Sequence, residues 1–352
     1  VNTNSILISR HMSTWIIYLV VIQLMPLLVL IRPGNIIIRD FQIMMVLQIA
    51  ALSGFYLIWG GYSIDAWRYL SRFTHDPFGF EEEWLFWIIG NSLNKILTDP
   101  WPLKLLSVGG VLLFALAVVR WFKPSQMKER IIALALFPLL PVFFLSLGNT
   151  IRQGLASIII VHGIVWLIRA RWIGFALMGL VGILFHEVAI LFVIGALAFR
   201  LPARIIYIFL AFAPFVSYSA YFLLDLLGIN LDQIIRYSCY HEGDYHFLKF
   251  ALSYGLSIFL LVIRNIRSLP DKTNYLIKIY AIMVGISSIF LMYEVPFERM
   301  LQYGEFLLPL IIPSVLITVF WSKIIIALVW IGLLSMGLVL WTNRSIMDTL
   351  GV

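Results

Sequence analysis

The stretch that decides the fold is Trp172–Phe199, WIGFALMGLVGILFHEVAILFVIGALAF, 28 residues among which only His186 and Glu187 can carry charge. One membrane-spanning helix needs about 20 residues and two need about 40, so this length fits neither. A single tilted helix would bury Glu187 near the bilayer centre, where an ionised carboxylate costs roughly 2.5–3.5 kcal/mol. Two short helices that meet at His186 would instead bring both polar side chains to one membrane surface.

The composition of the whole chain is that of a membrane protein: 62% of residues are hydrophobic, 12% are charged, and the mean hydropathy is +0.97. A soluble domain has roughly 45–50% apolar residues, so the sequence predicts an all-α, multi-pass membrane protein. The net charge of +7 is distributed between apolar runs, where basic residues set orientation, and nucleic acid is excluded as a partner. The single Cys239 excludes an internal disulfide and a multi-cysteine metal site.

Outside the split stretch, further apolar runs have the length of membrane segments. They are Met12–Ile31, Phe41–Trp59, Leu103–Phe122, Ile131–Leu147, Ile151–Ile168, Ile205–Leu227, Phe247–Ile263, Tyr275–Tyr293, Phe306–Phe320 and Ile324–Trp341. With the split stretch, the chain is predicted to form one polytopic domain, residues 1–352, of about 11–12 transmembrane helices. Prolines inside several runs predict kinked helices whose freed carbonyls are satisfied by neighbours.

The distribution of basic residues distinguishes the two ways of threading Trp172–Phe199. If this stretch is a hairpin of two half-helices, one membrane face collects 15 of the 25 basic residues and only 3 acids. If it crosses once, that face keeps 12 of the 25, and the asymmetry disappears. Because short cytoplasmic loops are enriched in Lys and Arg, the hairpin is favoured. His186, Glu187 and both termini are then expected on the non-cytoplasmic side.

Two loops on the predicted outer face carry many polar residues. The first, residues 60–101, ends in an apolar pattern over Trp84–Leu97 that predicts a helix lying in the membrane interface. The second, residues 228–246, is dense in aromatic, histidine and acidic side chains. Its acids and histidines alternate without a metal-ligand spacing, so a solvated loop that faces sugar is preferred to a metal site.

Three residues are candidates for chemistry on the pattern alone. Arg152 opens a helix, and an arginine in a first helical turn can bind phosphate with two hydrogen bonds; an interfacial snorkelling arginine is the alternative. Arg299 lies between two segments on the same predicted face, with an ion pair to a neighbouring glutamate as its alternative. His186, next to Glu187, suits general-base catalysis near neutral pH, and a satisfied core histidine is the alternative.

Several short motifs together resemble the EpsG/Wzy-type polysaccharide polymerases over most of the chain from Gly60 to Pro313. The motifs are Gly61-Tyr62-Ser63-Ile64-Asp65 with Tyr69, Glu82 and Glu83 before the interfacial helix, Ile151-Arg152-Gln153-Gly154-Leu155-Ala156, Phe185-His186, and Glu298-Arg299-Met300 with Tyr303. The arginine–glutamine pair and the later histidine are the most specific. Glu187 departs from the pattern, since a small residue such as serine is expected there.

The resemblance implies a membrane glycosyltransferase with a GT-C-like helical fold in the bacterial inner membrane. Such an enzyme polymerises undecaprenyl-diphosphate-linked oligosaccharide repeats at the periplasmic face, in O-antigen or exopolysaccharide assembly. The implied partners are the lipid-linked oligosaccharide and membrane lipid, with a chain-length regulator and a flippase as further expected partners. Neither a cofactor nor a metal is expected.

The implied reaction assigns roles to the matching positions. A hydroxyl of the incoming repeat attacks the anomeric carbon, and the diphosphate leaves if cations hold its developing charge. The residues expected to bind the diphosphate are Arg152, Arg299 and Arg68. The candidate bases are His186, then Asp65, then Glu187. The residues expected to contact sugar are Gln153, Glu82, Glu83, Tyr303, Tyr240 and Tyr245.

The sequence leaves three other functional classes as alternatives. A flippase or transporter of the same lipid-linked glycan requires a cavity that opens to both faces, often between repeated halves, whereas the candidate polar residues here gather on one side. A membrane acyltransferase would place a catalytic histidine near an early segment or deep in a tunnel, and His11 has no partner pattern around it. An O-antigen ligase would use the same arginine and histidine chemistry with a lipid A acceptor.

Overall fold

The computed structural model describes residues 38–59, 64–75, 83–148, 150–227 and 245–319. These residues form helices and turns, with no strand among them, which confirms the predicted all-α polytopic membrane protein. Within these ranges, five helices are long and apolar enough to cross a membrane, or six if a bent pair counts as one span. The predicted segments Met12–Ile31 and Ile324–Trp341 and most of the second outer loop lie outside the described residues.

The contacts divide the chain into two compact units, which are described separately. The first contains the described residues up to Glu187 and those from Ile312 onward. Its helices are α1 (Ile38–Trp59), α2 (Ile64–His75), α3 (Trp84–Asn94), α4 (Trp101–Trp121), α5 (Met127–Leu139), α6 (Pro141–Gly148), α7 (Ile151–Ile168) and α8 (Trp172–Phe185).

The second unit is Val188–Ile311. Its helices are α9 (Ala189–Leu197), α10 (Ala203–Leu226), α11 (Tyr245–Ile266), α12 (Asp271–Ser288), α13 (Glu294–Glu305) and the start of α14 (Leu308–Val319), with a 3₁₀ turn at Ala198–Arg200. The backbone of α9 at Gly195 packs directly on Met283 of α12. The glycine therefore allows a close helix contact inside this unit.

Within the predicted segment Ile131–Leu147, where prolines predict a kink, the structure breaks the helix into α5 and α6 at Leu140. Pro138 and Pro141 flank the break. Proline has no amide hydrogen and its ring clashes with the preceding turn, so a helix interior cannot hold two of them without bending.

Polar side chains of α1 and α4 bind carbonyls of α6. The Tyr56 hydroxyl donates a hydrogen bond to the Phe143 carbonyl at 3.2 Å. The Ser107 hydroxyl donates to the Leu147 carbonyl, in the last turn of α6, at 2.6 Å. These bonds lie among apolar side chains, where an unpaired carbonyl is costly, so neighbouring helices satisfy the backbone as expected for a kinked membrane bundle.

Two amphipathic helices lie within the first outer loop. Helix α2 lies where the sequence predicts only a loop, and it buries four residues at helical spacing: Ala66, Tyr69, Leu70 and Phe73. Helix α3 falls where a helix was predicted, and its buried face includes Phe86 and Trp87. The two faces meet at aromatic side chains, with ring centroids 5.3 Å apart for Tyr69 and Phe86 and 5.7 Å apart for Phe73 and Trp87.

Helices α7 and α8 are antiparallel neighbours. The backbone at Gly174 packs on Trp166 near the turn between them, and the backbone at Gly182 packs on Ile160 further along. This register brings the end of α8 back to the first turns of α7. The break predicted at His186 is confirmed, because α8 ends at Phe185 and α9 begins at Ala189. That the chain reverses at this break stays a prediction.

Candidate active site

Glu83 immediately precedes α3 and has an unusual backbone conformation. Its φ of 64° and ψ of 34° lie in the left-handed region, which costs a residue with a side chain about 1–2 kcal/mol. Its side chain is only 5% exposed. Residues held in this region against their preference are concentrated at functional sites, which makes Glu83 a candidate functional residue.

The carboxylate of Glu83 binds two groups at once. Oε2 forms an ion pair with the guanidinium of Arg152, and Oε1 contacts Nδ1 of His186. The side chain of His186 is 10% exposed and that of Arg152 is 28% exposed. The buried carboxylate of Glu83 is thus shared by the partly exposed guanidinium of Arg152 and by the nearly buried imidazole of His186.

The first turn of α7 supplies the arginine of this site. Arg152 is the second residue of the helix, and Gln153 beside it is 2% exposed. At Gly154 a Cβ would lie 2.5 Å from the carbonyl oxygen of Ser146, on α6. The glycine of the Arg152-Gln153-Gly154 motif therefore allows α6 and α7 to approach closely where the arginine is presented.

Aromatic rings surround the guanidinium of Arg152. Its Cζ lies 5.3 Å from the ring centre of Tyr69 and 5.4 Å from that of Trp87. A second arginine, Arg72, has its Cζ 4.5 Å from the centre of the same Trp87 ring. Cations over aromatic faces are attracted by the ring quadrupole, so Trp87 and Tyr69 hold the arginines in place.

The structure brings together three of the residues singled out from the sequence: Glu83, Arg152 and His186, with Gln153 adjacent. Arg68 on α2 and Glu187 at the break after α8 are exposed. The imidazole of His186 contacts the carboxylate of Glu83, which is 103 residues away in the sequence. The remaining candidates of this region and the second outer loop cannot be placed: Glu82 and Tyr240 lie outside the described residues, as do the side chains of Asp65 and Tyr245.

Two further candidates lie on α13, in the second unit. Tyr303 is fully buried, with its ring centroid 5.5 Å from that of Phe192. Arg299 is half-buried. The sequence gives an ion pair with Glu298 or Glu294 as the alternative role of Arg299; Glu298 accepts a hydrogen bond from Lys249 at 3.4 Å, and the side chain of Glu294 lies outside the described residues.

Sequence reasoning did not identify Trp87 as part of the site, and it gave Arg72 no role. The spacing of Tyr69 and Arg72, three residues apart, is the signal that places both on one face of a helix once α2 is recognised. Nothing in the spacing indicates Trp87, which reaches both arginines only because α3 packs on α2.

Two other features of the described residues lie away from this site. His162, in the middle of α7, has Nε2 2.8 Å from the Leu113 carbonyl oxygen, which is a structural contact between α7 and α4. A cavity of about 520 Å³ lies at the α7–α8 turn, at the opposite end of α7 from Arg152. Across the described ranges, no three His, Cys, Asp or Glu side chains are grouped to hold a metal ion.

Comparison with known proteins identifies the family. The chain matches the EpsG family over residues 41–349, a range that includes every residue of the site described above. No curated protein and no solved structure matches the chain. Since the match covers most of the sequence, the chain belongs to the EpsG family, the Wzy-type polysaccharide polymerase family.

Proposed function

We propose that the protein transfers a growing glycan from undecaprenyl diphosphate to a hydroxyl of an incoming lipid-linked repeat. The observation that carries the proposal is the Glu83 carboxylate shared by Arg152 and His186. In the reaction the hydroxyl oxygen forms a bond to the anomeric carbon, and the bond from that carbon to the diphosphate oxygen breaks. The diphosphate leaves with the electron pair, and the hydroxyl proton goes to a base.

His186 is proposed as that base. When the imidazole is neutral and Nδ1 donates its hydrogen to Glu83, Nε2 carries the lone pair that can accept a proton. Glu83 then orients the ring and stabilises the imidazolium that forms, as the acid of a catalytic triad does. This contact supports the order of candidates with His186 ahead of Asp65 and Glu187.

Arg152 is proposed to bind the diphosphate. It lies in the first turn of α7, where the helix dipole also favours negative charge. A diphosphate can leave without a general acid if cations stabilise its developing charge. The exposed part of the guanidinium is available for phosphate oxygens while Glu83 holds the other part. Arg299 and Arg68 are proposed as further cations.

We place the reaction at the periplasmic face of the bacterial inner membrane. The proposal rests on the asymmetry of basic residues together with the antiparallel packing of α7 and α8. That packing brings His186 to the end of α7 that carries Arg152, so both residues serve the same membrane face. Glu82, Tyr240 and Tyr245 are proposed as sugar contacts, whereas the other predicted contacts, Glu83, Gln153 and Tyr303, are buried; no cofactor is required.

The test is chain extension by the purified protein in nanodiscs, with a lipid-linked repeat as sole substrate. Wild type is expected to yield a ladder of longer glycans without nucleotide sugar or an energy source, whereas a flippase would move lipid and yield no ladder. Arg152→Ala and His186→Ala are each expected to abolish extension and to insert normally. Arg171→Ala, at an exposed arginine before α8, is the control. Near-wild-type extension by both site variants would refute the assignment.

A further inference from the structure

The indole of Trp87 connects two arginines within the first compact unit. Arg72 approaches the ring from α2, with Cζ 4.5 Å from the ring centre, and Arg152 approaches it from α7 at 5.4 Å. Trp87 is 8% exposed and Arg72 is half-buried. Two guanidinium groups that would repel each other in free solution are thus held close to a single buried ring.

Two nitrogen donors in this group have no hydrogen-bond partner among the residues that the structure describes. They are Nε1 of Trp87 and Nε of Arg152, and both are buried. Each can only donate, because neither nitrogen has an accepting lone pair. A ligand that satisfies them must therefore supply acceptor oxygens.

The charges of these side chains indicate the charge of that ligand. Arg72 and Arg152 carry two positive charges, whereas Glu83 carries one negative charge and already contacts Arg152. Arg72, Trp87 and Arg152 together therefore favour an anion with several oxygens. Planar guanidinium groups match phosphate oxygens with paired hydrogen bonds, which makes a phosphate-type ligand the best fit.

We propose that Arg72 binds the diphosphate together with Arg152 and that Trp87 positions Arg72 and Arg152 and donates its indole N–H to the same ligand. The inference rests on the proposed function, since it takes the diphosphate of the lipid-linked donor as the ligand of this site. A diphosphate presents two phosphate groups, so two guanidinium groups bind it where a monophosphate can use only one fully. The pair therefore selects diphosphate carriers over monophosphate carriers.

The experiment measures binding of farnesyl diphosphate and farnesyl monophosphate to the full-length protein in detergent by calorimetry. Wild type is expected to bind the diphosphate more tightly. Arg72→Ala should weaken diphosphate binding by about tenfold to a hundredfold, the range for one charge-assisted contact, and monophosphate binding by much less. Arg72→Lys should restore part of the loss, because it keeps the charge without the planar fork.

Trp87→Phe separates the two roles of the indole, since phenylalanine keeps an aromatic face and removes the N–H. We expect it to weaken diphosphate binding less than Arg72→Ala and to raise KM for the lipid-linked donor more than it lowers kcat. Arg200→Ala is the matched control, because Arg200 also lies over an aromatic ring, that of Phe199, at 5.5 Å. It should leave binding unchanged, and thermal unfolding of each variant checks that it folds.

Equal diphosphate affinity in wild type and Arg72→Ala would overturn the inference, as would failure of wild type to bind farnesyl diphosphate. Competition by inorganic pyrophosphate but not by orthophosphate would support recognition of the diphosphate itself. Failure of pyrophosphate to compete would assign binding to the lipid tail and overturn the inference. Arg72-dependent binding without chain extension would support the anion site and reject the polymerase reaction. If Arg72→Ala extends chains with an unchanged KM for the lipid-linked donor, only the role of Arg72 is rejected.

Discussion

Replacing Glu83 by glutamine is the most direct perturbation of the proposed centre. Glutamine has nearly the same size and can still accept a hydrogen bond, but it has no negative charge for Arg152 or for an imidazolium at His186. The side chain is 5% exposed, so solvent cannot substitute for the lost carboxylate. The change therefore tests whether the acid acts through its charge.

The cost in stability follows from the burial of the three groups. Removal of one partner of a fully buried ion pair costs about 3–5 kcal/mol. Arg152 is 28% exposed and water can take over part of its solvation, so we expect about 1–3 kcal/mol for Glu83→Gln. General acid–base catalysis is worth roughly 10²–10⁴-fold, and a base that loses its orienting acid should lose about a hundredfold in kcat.

The assay is the initial rate of glycan extension from the lipid-linked repeat, with thermal unfolding measured on the same preparations. A double-mutant cycle decides the mechanism. If Glu83 works through His186, then Glu83→Gln combined with His186→Ala should be no slower than His186→Ala alone. Losses that multiply in the double variant would refute the view that the two residues act as one unit.

Other changes test the structure independently. Glu83→Gly and Glu83→Ala remove the same carboxylate, but only glycine adopts a φ of 64° without steric cost. The free energy of unfolding of the glycine variant should therefore exceed that of the alanine variant by about 1 kcal/mol, and its unfolding temperature should be higher. Gly154→Ala should destabilise by about 1–3 kcal/mol because its Cβ would meet the Ser146 carbonyl, whereas Gly109→Ala, with open space around it, should be neutral or slightly stabilising in the same unfolding assay. Arg299→Ala is expected to slow chain extension strongly. Its control, Glu298→Gln, breaks a partly exposed pair with Lys249 and should change stability by no more than about 1 kcal/mol. Equal rates of chain extension in the two variants would remove Arg299 from the mechanism. Extension should survive EDTA, because arginines supply the positive charge; a loss restored by a divalent ion would contradict this.

Local features of the chain were sufficient to predict most of the helices. The apolar run Ile151–Ile168 has the same bounds in the structure, and the polar pair within Trp172–Phe199 marks the break between α8 and α9. Such predictions succeed because the length of an apolar run and an interruption by charge act on the segment that carries them. The helix that was missed also has a local cause, since α2 has low apolar content overall, and the two prolines in Ile131–Leu147 account for the break that divides this segment.

The sequence by itself determined that this is an all-α membrane protein of a polymerase family, with Arg152 in a first helical turn and His186 at a break. Only the tertiary structure decided that Glu83 is the acid between them and that Trp87 holds two arginines. The reason is that side chains 103 residues apart meet only through the packing of α2, α3, α7 and α8. The left-handed backbone of one glutamate then sets where its carboxylate points, and neither composition nor periodicity records that angle.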